Sequence, residues 1–389
     1  ITAEQREREP RAGREARAGQ SSRSQSSAVM LWVDKYRPRS MDALDYHVEL
    51  SQSLKAMVNR SDFPHILFYG PSGAGKKTRV LALLRDIYGP AVEKVKVDHK
   101  QFKVGSTTVE ISILSSPHHI ELNPGDAGSR DRDVVQEIIK EIAASAPLPT
   151  SSSGDPSDWK PFKVVVLNEV DNLSKEAQHA LRRTMEKYIT TCRIMMTCNN
   201  ACRVIAPIRS RCLCVRIAAP SAEQIAMVLH QTARKEALTL PNELAERLAL
   251  QAHGNLRKAL LTLEAARVTM YPFDPKQEVK QADWEKYIDN IALEMLREQS
   301  PTKLGEIRNK LYDLLAHCIP PDMIMEQLTR ALLGRLKHEK PGVQMEVLYN
   351  AALYEHRMIS GSKAIFHLEA FVAKFMAVYK RAVHQAMGM

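Results

Sequence analysis

The sequence predicts an α/β domain, a parallel sheet flanked by helices, followed by an all-helical C-terminal region. Three observations carry the prediction. A strand pattern runs into a glycine loop and then a helix between residues 65 and 88. Strand and helix patterns keep alternating as far as residue 197, and beyond Ala219-Pro220 only helical periodicity remains.

HILFY (65–69) reads as a buried strand. After the glycines, Val80, Leu83, Leu84 and Ile87 fall at i, i+3, i+4 and i+7, one face of an amphipathic helix. VEISIL (109–114) and HIELN (119–123) follow as strands, then a helix from about Asp133 to Ala144. SAPLPTSSSGDPSDWK (145–160) has the Ser, Pro and Gly content of a mobile surface loop. VVVL (164–167) is continuously apolar, as in a parallel sheet covered on both faces. A helix over 174–188 and the strand RIMMT (193–197) complete the alternation.

Three short helices are predicted over roughly 221–270, the last carrying Leu256, Leu260, Leu263 and Arg267. A turn at YPFDP (271–275) leads into further helices. The final one sets Ile365, Leu368, Val372, Phe375, Tyr379 and Ala382 on one stripe, which serves a core, a partner surface, or both.

The chain has 389 residues, enough for two or three domains. Its 44% hydrophobic and 26% charged content is that of a globular protein, and no apolar run reaches the roughly 18 residues of a membrane span. Residues 1–29 are polar and low in complexity, without the apolar core of a secretory signal. They read as a disordered leader, with a basic arm on nucleic acid as the other reading; Met30 is the expected natural start. The net charge of +10 leans towards a polyanionic partner, and +8 remains without those residues. Five of six cysteines fall between Cys192 and Cys214. Cys198/Cys202 and Cys212/Cys214 offer four zinc ligands on paper, but buried thiols in strands explain the pattern better, and no metal site is assigned.

YGPSGAGKKTRV (69–80) matches the phosphate-loop pattern G-x-x-x-x-G-K-[ST] until its last position, which is Lys77. In such a loop, backbone N–H groups and the helix N-terminus cradle phosphates while the lysine reaches the outer ones. The assigned cradle is Gly70, Pro71, Ser72, Gly73, Ala74 and Gly75, with Lys76, Lys77 and Thr78 at the helix start. Thr78 does not restore the missing hydroxyl, because it lies about 100° round the helix from position 77. The acidic pair expected after a neighbouring strand reads Asn168-Glu169. The metal-side carboxylate is therefore lost and the water-side Glu169 retained without a productive ion. Hydroxyl and carboxylate are both missing from the same cation, so the site is expected to bind ATP or ADP with Mg²⁺ weak or absent, and to hydrolyse poorly.

LWVDKYRP (31–38), FPHILFYGPSGAGK (63–76), NEVD (168–171), ALRRTMEKY (180–188), PIRSRC (207–212) and GNLRKAL (254–260) come in that order. Together they resemble the small subunits of eukaryotic replication factor C, the AAA+ clamp loader, over about residues 31–385. Lys77 and Asn168 resemble the end-of-spiral member, whose nucleotide site is degenerate. The resemblance implies an AAA+ P-loop domain over 30–219, a three-helix lid over 220–272 and an all-α collar over 273–389. It makes Val33, Tyr36 and Arg37 an adenine-side wall, with plain N-terminal packing as the alternative. It makes Asn199 and Arg257 sensors of the nucleotide, and Arg211 an arginine finger acting in trans at a neighbouring subunit's site, where such a finger is worth about 10³–10⁵ in rate. Arg182 and Arg183 belong either to the same interface or to a solvated face.

The implied partners are the other subunits of a hetero-pentamer, the sliding clamp PCNA and primer–template DNA in nuclear DNA replication and repair, with no membrane. Lys140, Ser174 and Lys175 are the candidate contacts to DNA phosphates; Gln136 stands where the family usually has arginine. The rival reading is an autonomous AAA+ DNA-remodelling ATPase, against which Lys77 and Asn168 argue, since a motor needs its own metal.

Overall fold

The computed structural model describes residues 30–58, 63–104, 107–144, 162–189, 191–336 and 341–386. The predicted leader and the predicted loop at 145–160 lie outside the described residues. The chain divides into two compact units, one ending at Val279 and one beginning at Lys280.

The first unit is built on seven strands: β1 (Ile66–Tyr69), β2 (Lys96–Val104), β3 (Thr107–Ser115), β4 (His119–Leu122), β5 (Lys163–Leu167), β6 (Cys192–Cys198) and β7 (Leu213–Arg216). Their order is β2-β3-β4-β5-β6-β1-β7. β4, β5, β6, β1 and β7 are mutually parallel, with Val165 opposite Ile194 and Ile66 opposite Met195. Alternate side chains serve opposite faces. Leu67, Val165, Leu167, Ile194 and Met196 enter one core, and Ile66, Phe68, Val164, Val166 and Met195 enter the other.

The sheet is not wholly parallel. β2 and β3 form an antiparallel ladder from Lys96↔Ser115 to Val104↔Thr107, and β3 continues antiparallel onto β4. β2 hides in the sequence because lysines interrupt its apolar residues, and it runs along the sheet's edge, where charges discourage further pairing.

The helices of this unit are α1 (Trp32–Lys35), α2 (Val48–Val58), α3 (Lys76–Tyr88), α4 (Asp131–Ala144), α5 (Lys175–Lys187), α6 (Ala206–Arg209), α7 (Ala222–Lys235), α8 (Asn242–Gln251) and α9 (Leu256–Thr269). α4 and α5 cover one face of the sheet through Val135, Ile138, Leu181 and Met185; α3 covers the other through Val80, Leu83 and Leu84. α7, α8 and α9 enclose a small core of Ile225, Leu229, Leu244, Leu248 and Leu263, into which Trp32 is inserted. Ser221 starts α7 with a capping box and Asn255 caps α9, so each helix begins where a side chain satisfies its open N–H groups.

The second unit is helical throughout its described residues: α10 (Asp283–Arg297), α11 (Pro301–Ala316), α12 (Pro321–Arg335), α13 (Pro341–Ser360) and α14 (Ala364–Ala386). The predicted stripe on α14 faces this unit's core: Ile365, Leu368, Val372 and Phe375 are buried in it, and Tyr379 packs against it.

The cysteines are less uniform than expected. Cys192 and Cys198 are buried on β6, whereas Cys202 and Cys214 are exposed and Cys212 is half-buried. Cys202 falls on a short 3₁₀ turn and Cys214 on the outer strand β7, so neither is a buried strand thiol. Among the described residues, no group of three or more His, Cys, Asp or Glu side chains could hold a metal ion, and no helix is long and apolar enough to cross a membrane.

Candidate functional site

The parallel strands deliver their carboxyl ends to one edge, the usual place for a ligand in an open α/β sheet. Asn123 follows β4, Asn168 follows β5, Asn199 follows β6 and the glycine loop follows β1. A cavity of about 580 Å³ opens there, bounded by the loop, by Tyr36 and Arg37, and by Arg257 at the start of α9.

Of the predicted residues, Val33, Tyr36, Arg37, Ser72, Gly73, Gly75, Lys76, Lys77 and Thr78 line this cavity, together with Asn168, Glu169, Asn199 and Arg257. Gly70, Pro71 and Ala74 do not line it. The Lys76 ammonium donates to the carbonyls of Gly70 (2.7 Å) and Pro71 (2.9 Å) and to Asn199 Oδ1 (2.8 Å). Burial lowers its pKa. Asn199 is itself fixed by Asp171, whose Oδ2 accepts the N–H groups of Asn199 (3.0 Å) and Asn200 (3.1 Å).

The loop fits a phosphate group. Gly75, at φ 82°, is the N-cap of α3, and no side chain caps that helix. Its first N–H groups, which have no intrahelical acceptor, are left for an anion. A Cβ on Gly73 (φ 74°) would stand 1.8 Å from Asn255 Oδ1, so glycine is what lets the lid helix approach the loop. Behind the loop lies Arg79, a wholly buried guanidinium. It donates to the carbonyls of Ala74 (3.3 Å) and Tyr46 (3.0 Å) and stacks on the Tyr46 ring at 4.6 Å. The Tyr46 hydroxyl also donates to Ala74 O, at 3.0 Å.

The corner where a divalent cation would sit does not fit one. The Lys77 ammonium forms an ion pair with Glu121 on β4. Asn168 Nδ2 donates to the same Glu121 oxygen at 2.7 Å, while Asn168 Oδ1 accepts from Thr197 Oγ1 at 3.2 Å. An ammonium and an amide N–H₂ fill the place of a hydroxyl and a carboxylate, and neither offers a lone pair to a metal. Glu169, at φ 53° just past β5, accepts from Asn172 Nδ2 at 3.0 Å.

The Tyr36 side of the cavity is braced from the lid. Glu236, after α7, accepts from the Tyr36 hydroxyl and from Lys35 Nζ (2.6 Å), and Arg267 of α9 lies 3.6 Å away. Segment 31–38 is thus both lid packing, through Trp32, and cavity wall, through Val33, Tyr36 and Arg37.

The remaining candidates lie outside the cavity. Arg211 is exposed; its Nε donates to Glu186 Oε1 on α5 (2.6 Å) and its Nη1 to Pro207 O (2.8 Å). Lys140 and Lys175 are exposed. Ser174 caps α5, and both its N–H (2.6 Å) and its hydroxyl (2.9 Å) donate to Asp131, so the donors expected to meet a DNA phosphate already serve a carboxylate.

Sequence reasoning missed Glu121, Tyr46, Arg79, Glu236 and Asn255. Only Glu121 left a visible signal, a carboxylate inside the apolar strand HIEL.

The sheet order, the glycine loop and the three-helix lid define an AAA+ nucleotide-binding protein. Residues 46–221 match the family model described as DNA polymerase III, delta subunit, and 227–268 the RCF1/5-like AAA+ ATPase lid domain. Residues 284–383 match the replication factor C subunit 3 C-terminal domain. Replication factor C subunit 3 of Mus musculus is 53% identical over 361 residues, 92% of this chain and 99% of the relative. Those of Arabidopsis thaliana (52%, covering 92% and 100%) and Dictyostelium discoideum (there "probable"; 52%, covering 90% and 99%) are similarly close. The chain belongs to the replication factor C subunit 3 family of clamp-loader subunits.

Proposed function

We propose that this chain works in a clamp loader as a nucleotide-holding subunit that hydrolyses little itself and serves the subunit beside it. The observation that carries the reading is the Lys77–Glu121–Asn168 cluster, which fills the metal corner beside an otherwise intact phosphate cradle. Phosphoryl transfer depends on a cation that bridges and orients the phosphates. Here the retained Glu169 has no metal-bound partner to work with, and ATP or ADP acts as a structural cofactor with Mg²⁺ weak or absent. Arg257 and Asn199 would meet its phosphates, and Val33, Tyr36 and Arg37 its adenine side.

Arg211 lies outside its own cavity, in the exposed run Arg209-Ser210-Arg211, and that supports a role in trans at the adjacent ATP site. Glu186 and Pro207 O occupy the guanidinium until a triphosphate competes for it. The subunit would assemble with other replication factor C subunits into a hetero-pentamer that loads the sliding clamp PCNA onto primer–template DNA, in the nucleus, during replication and repair. Lys140 and Lys175 would touch DNA phosphates, and Ser174 only after leaving Asp131. The misfit at the metal corner weighs against an autonomous remodelling motor.

The test is a reconstituted complex carrying Arg211→Ala. ATP turnover is expected to fall about a thousandfold or more at the affected site with assembly intact. Unchanged turnover would refute the role in trans. Robust Mg²⁺-dependent turnover by the isolated chain would refute the non-hydrolysing reading.

A further inference from the structure

Glu121 sits at the centre of the metal corner. It is 6% exposed on β4. Two donors meet its Oε1: the Lys77 ammonium and the Asn168 amide at 2.7 Å. The Lys77 side chain is 40% exposed and that of Glu121 only 7%, so the pair is rooted on the carboxylate's side. His119, on the same face of the strand two residues earlier, has its pKa lowered by burial, and it brings no positive charge to Glu121 near neutral pH. Among the described ion pairs, Lys77 is the cation that neutralises this carboxylate.

We infer that Glu121 holds Lys77 as half of a neutral couple, so that the cation at position 77 blocks a divalent ion without becoming a phosphate ligand. The inference rests on the nucleotide-holding reading above and changes the role of Lys77 within it. Drawing Lys77 away to a phosphate would leave Glu121 charged and buried with one amide donor. Stripping a buried charge of its partner costs more than a single charge-assisted bond at a half-exposed position returns. The couple therefore stays together when phosphates arrive, and the positive charge that meets them comes from Lys76, Arg257 and the amide groups of the loop.

Three full-length variants decide the matter: Glu121→Gln, Lys77→Met and the double substitution. ATP and ADP dissociation constants are measured by titration calorimetry in EDTA and in Mg²⁺, with thermal unfolding recorded in parallel. Glutamine keeps the shape and can still accept from Asn168, but it releases the ammonium. Glu121→Gln is therefore expected to tighten binding by about tenfold, the scale of one charge-assisted hydrogen bond. Lys77→Met leaves an unpaired carboxylate beside the phosphates and should weaken binding. The double variant removes a neutral couple as a whole, so it should bind within about threefold of the wild type and stay folded.

Unchanged or weaker binding by a folded Glu121→Gln protein would overturn the inference and leave the nucleotide reading standing. So would a loss of about tenfold in the double variant, the result expected of a direct phosphate ligand. The double variant decides alone if the single one fails to fold. No nucleotide binding by the wild type, with or without Mg²⁺, would overturn both.

Discussion

Gly73→Ala probes the contact between the phosphate loop and the lid, and its cost can be worked from the geometry. The backbone there sits at φ 74°, where an L-residue with a Cβ is strained by about 1–2 kcal/mol. The new methyl would stand 1.8 Å from Asn255 Oδ1 and 2.4 Å from its Cγ. Both atoms belong to a short side chain, so Asn255 can rotate away without the lid moving as a body. Rotation sacrifices its cap on α9, the 3.1 Å bond from Lys258 N–H to Oδ1, worth about 1 kcal/mol.

The sum is a loss of about 2–3 kcal/mol for the single variant. Asn255→Gly removes the obstacle, and glycine at an N-cap costs only a few tenths of a kcal/mol. The Gly73→Ala/Asn255→Gly protein should therefore be less destabilised than the two single costs added together, by about 1 kcal/mol or slightly less. Urea unfolding, with hydrogen exchange on the α9 amides to localise the effect, reads both numbers. Strict additivity of the two substitutions would refute the contact, and so would a Gly73→Ala protein as stable as the wild type.

Three further outcomes follow from the same structure. Burial, aided by the positive charge of Arg193, holds His65 at a pKa of about 4 rather than 6.5. The unfolded chain then takes up its proton first, so stability is full above pH 6.5 and declines by up to about 3 kcal/mol as the pH falls to 4. His65→Asn, which keeps an acceptor for the Ile194 N–H group, should flatten that part of the pH–stability curve; an unchanged slope would exclude His65. Arg79→Met should alter stability by less than about 2 kcal/mol, because relief of a buried charge that meets no carboxylate among the described ion pairs offsets the lost bonds, while Arg79→Ala adds a cavity and should cost about 3–5. Equal urea midpoints for the two would contradict this. Glu236→Ala should loosen residues 31–37 from the lid, with faster hydrogen exchange there and a few-fold weaker adenine-nucleotide affinity, at a cost of about 1–2 kcal/mol. Glu236→Gln, which still accepts from Tyr36, should recover most of the loss.

Much of the architecture is readable from local pattern. VVVL reads as a doubly covered strand, the glycines ahead of Lys76 demand a tight turn into a helix, and the heptad-like stripe on α14 requires one buried face. The degenerate metal corner is legible as well, because Lys77 and Asn168 occupy positions whose chemistry the surrounding motifs define. β2 escapes because its lysines suit an edge strand and mask the alternation.

What the chain alone determines is therefore the set of elements and the chemistry each carries, since both follow from spacing and side-chain type over a few residues. The partners across space were decided only by the tertiary structure. Glu121 meets Lys77 because it lies opposite Val166 on the face of the sheet that α3 covers; Glu236 reaches Tyr36 because the lid folds onto the N-terminal segment; Glu186 takes Arg211 because α5 and α6 pack together. A charge pair depends on distance in space, and residues 44 or 200 positions apart carry no local mark of it.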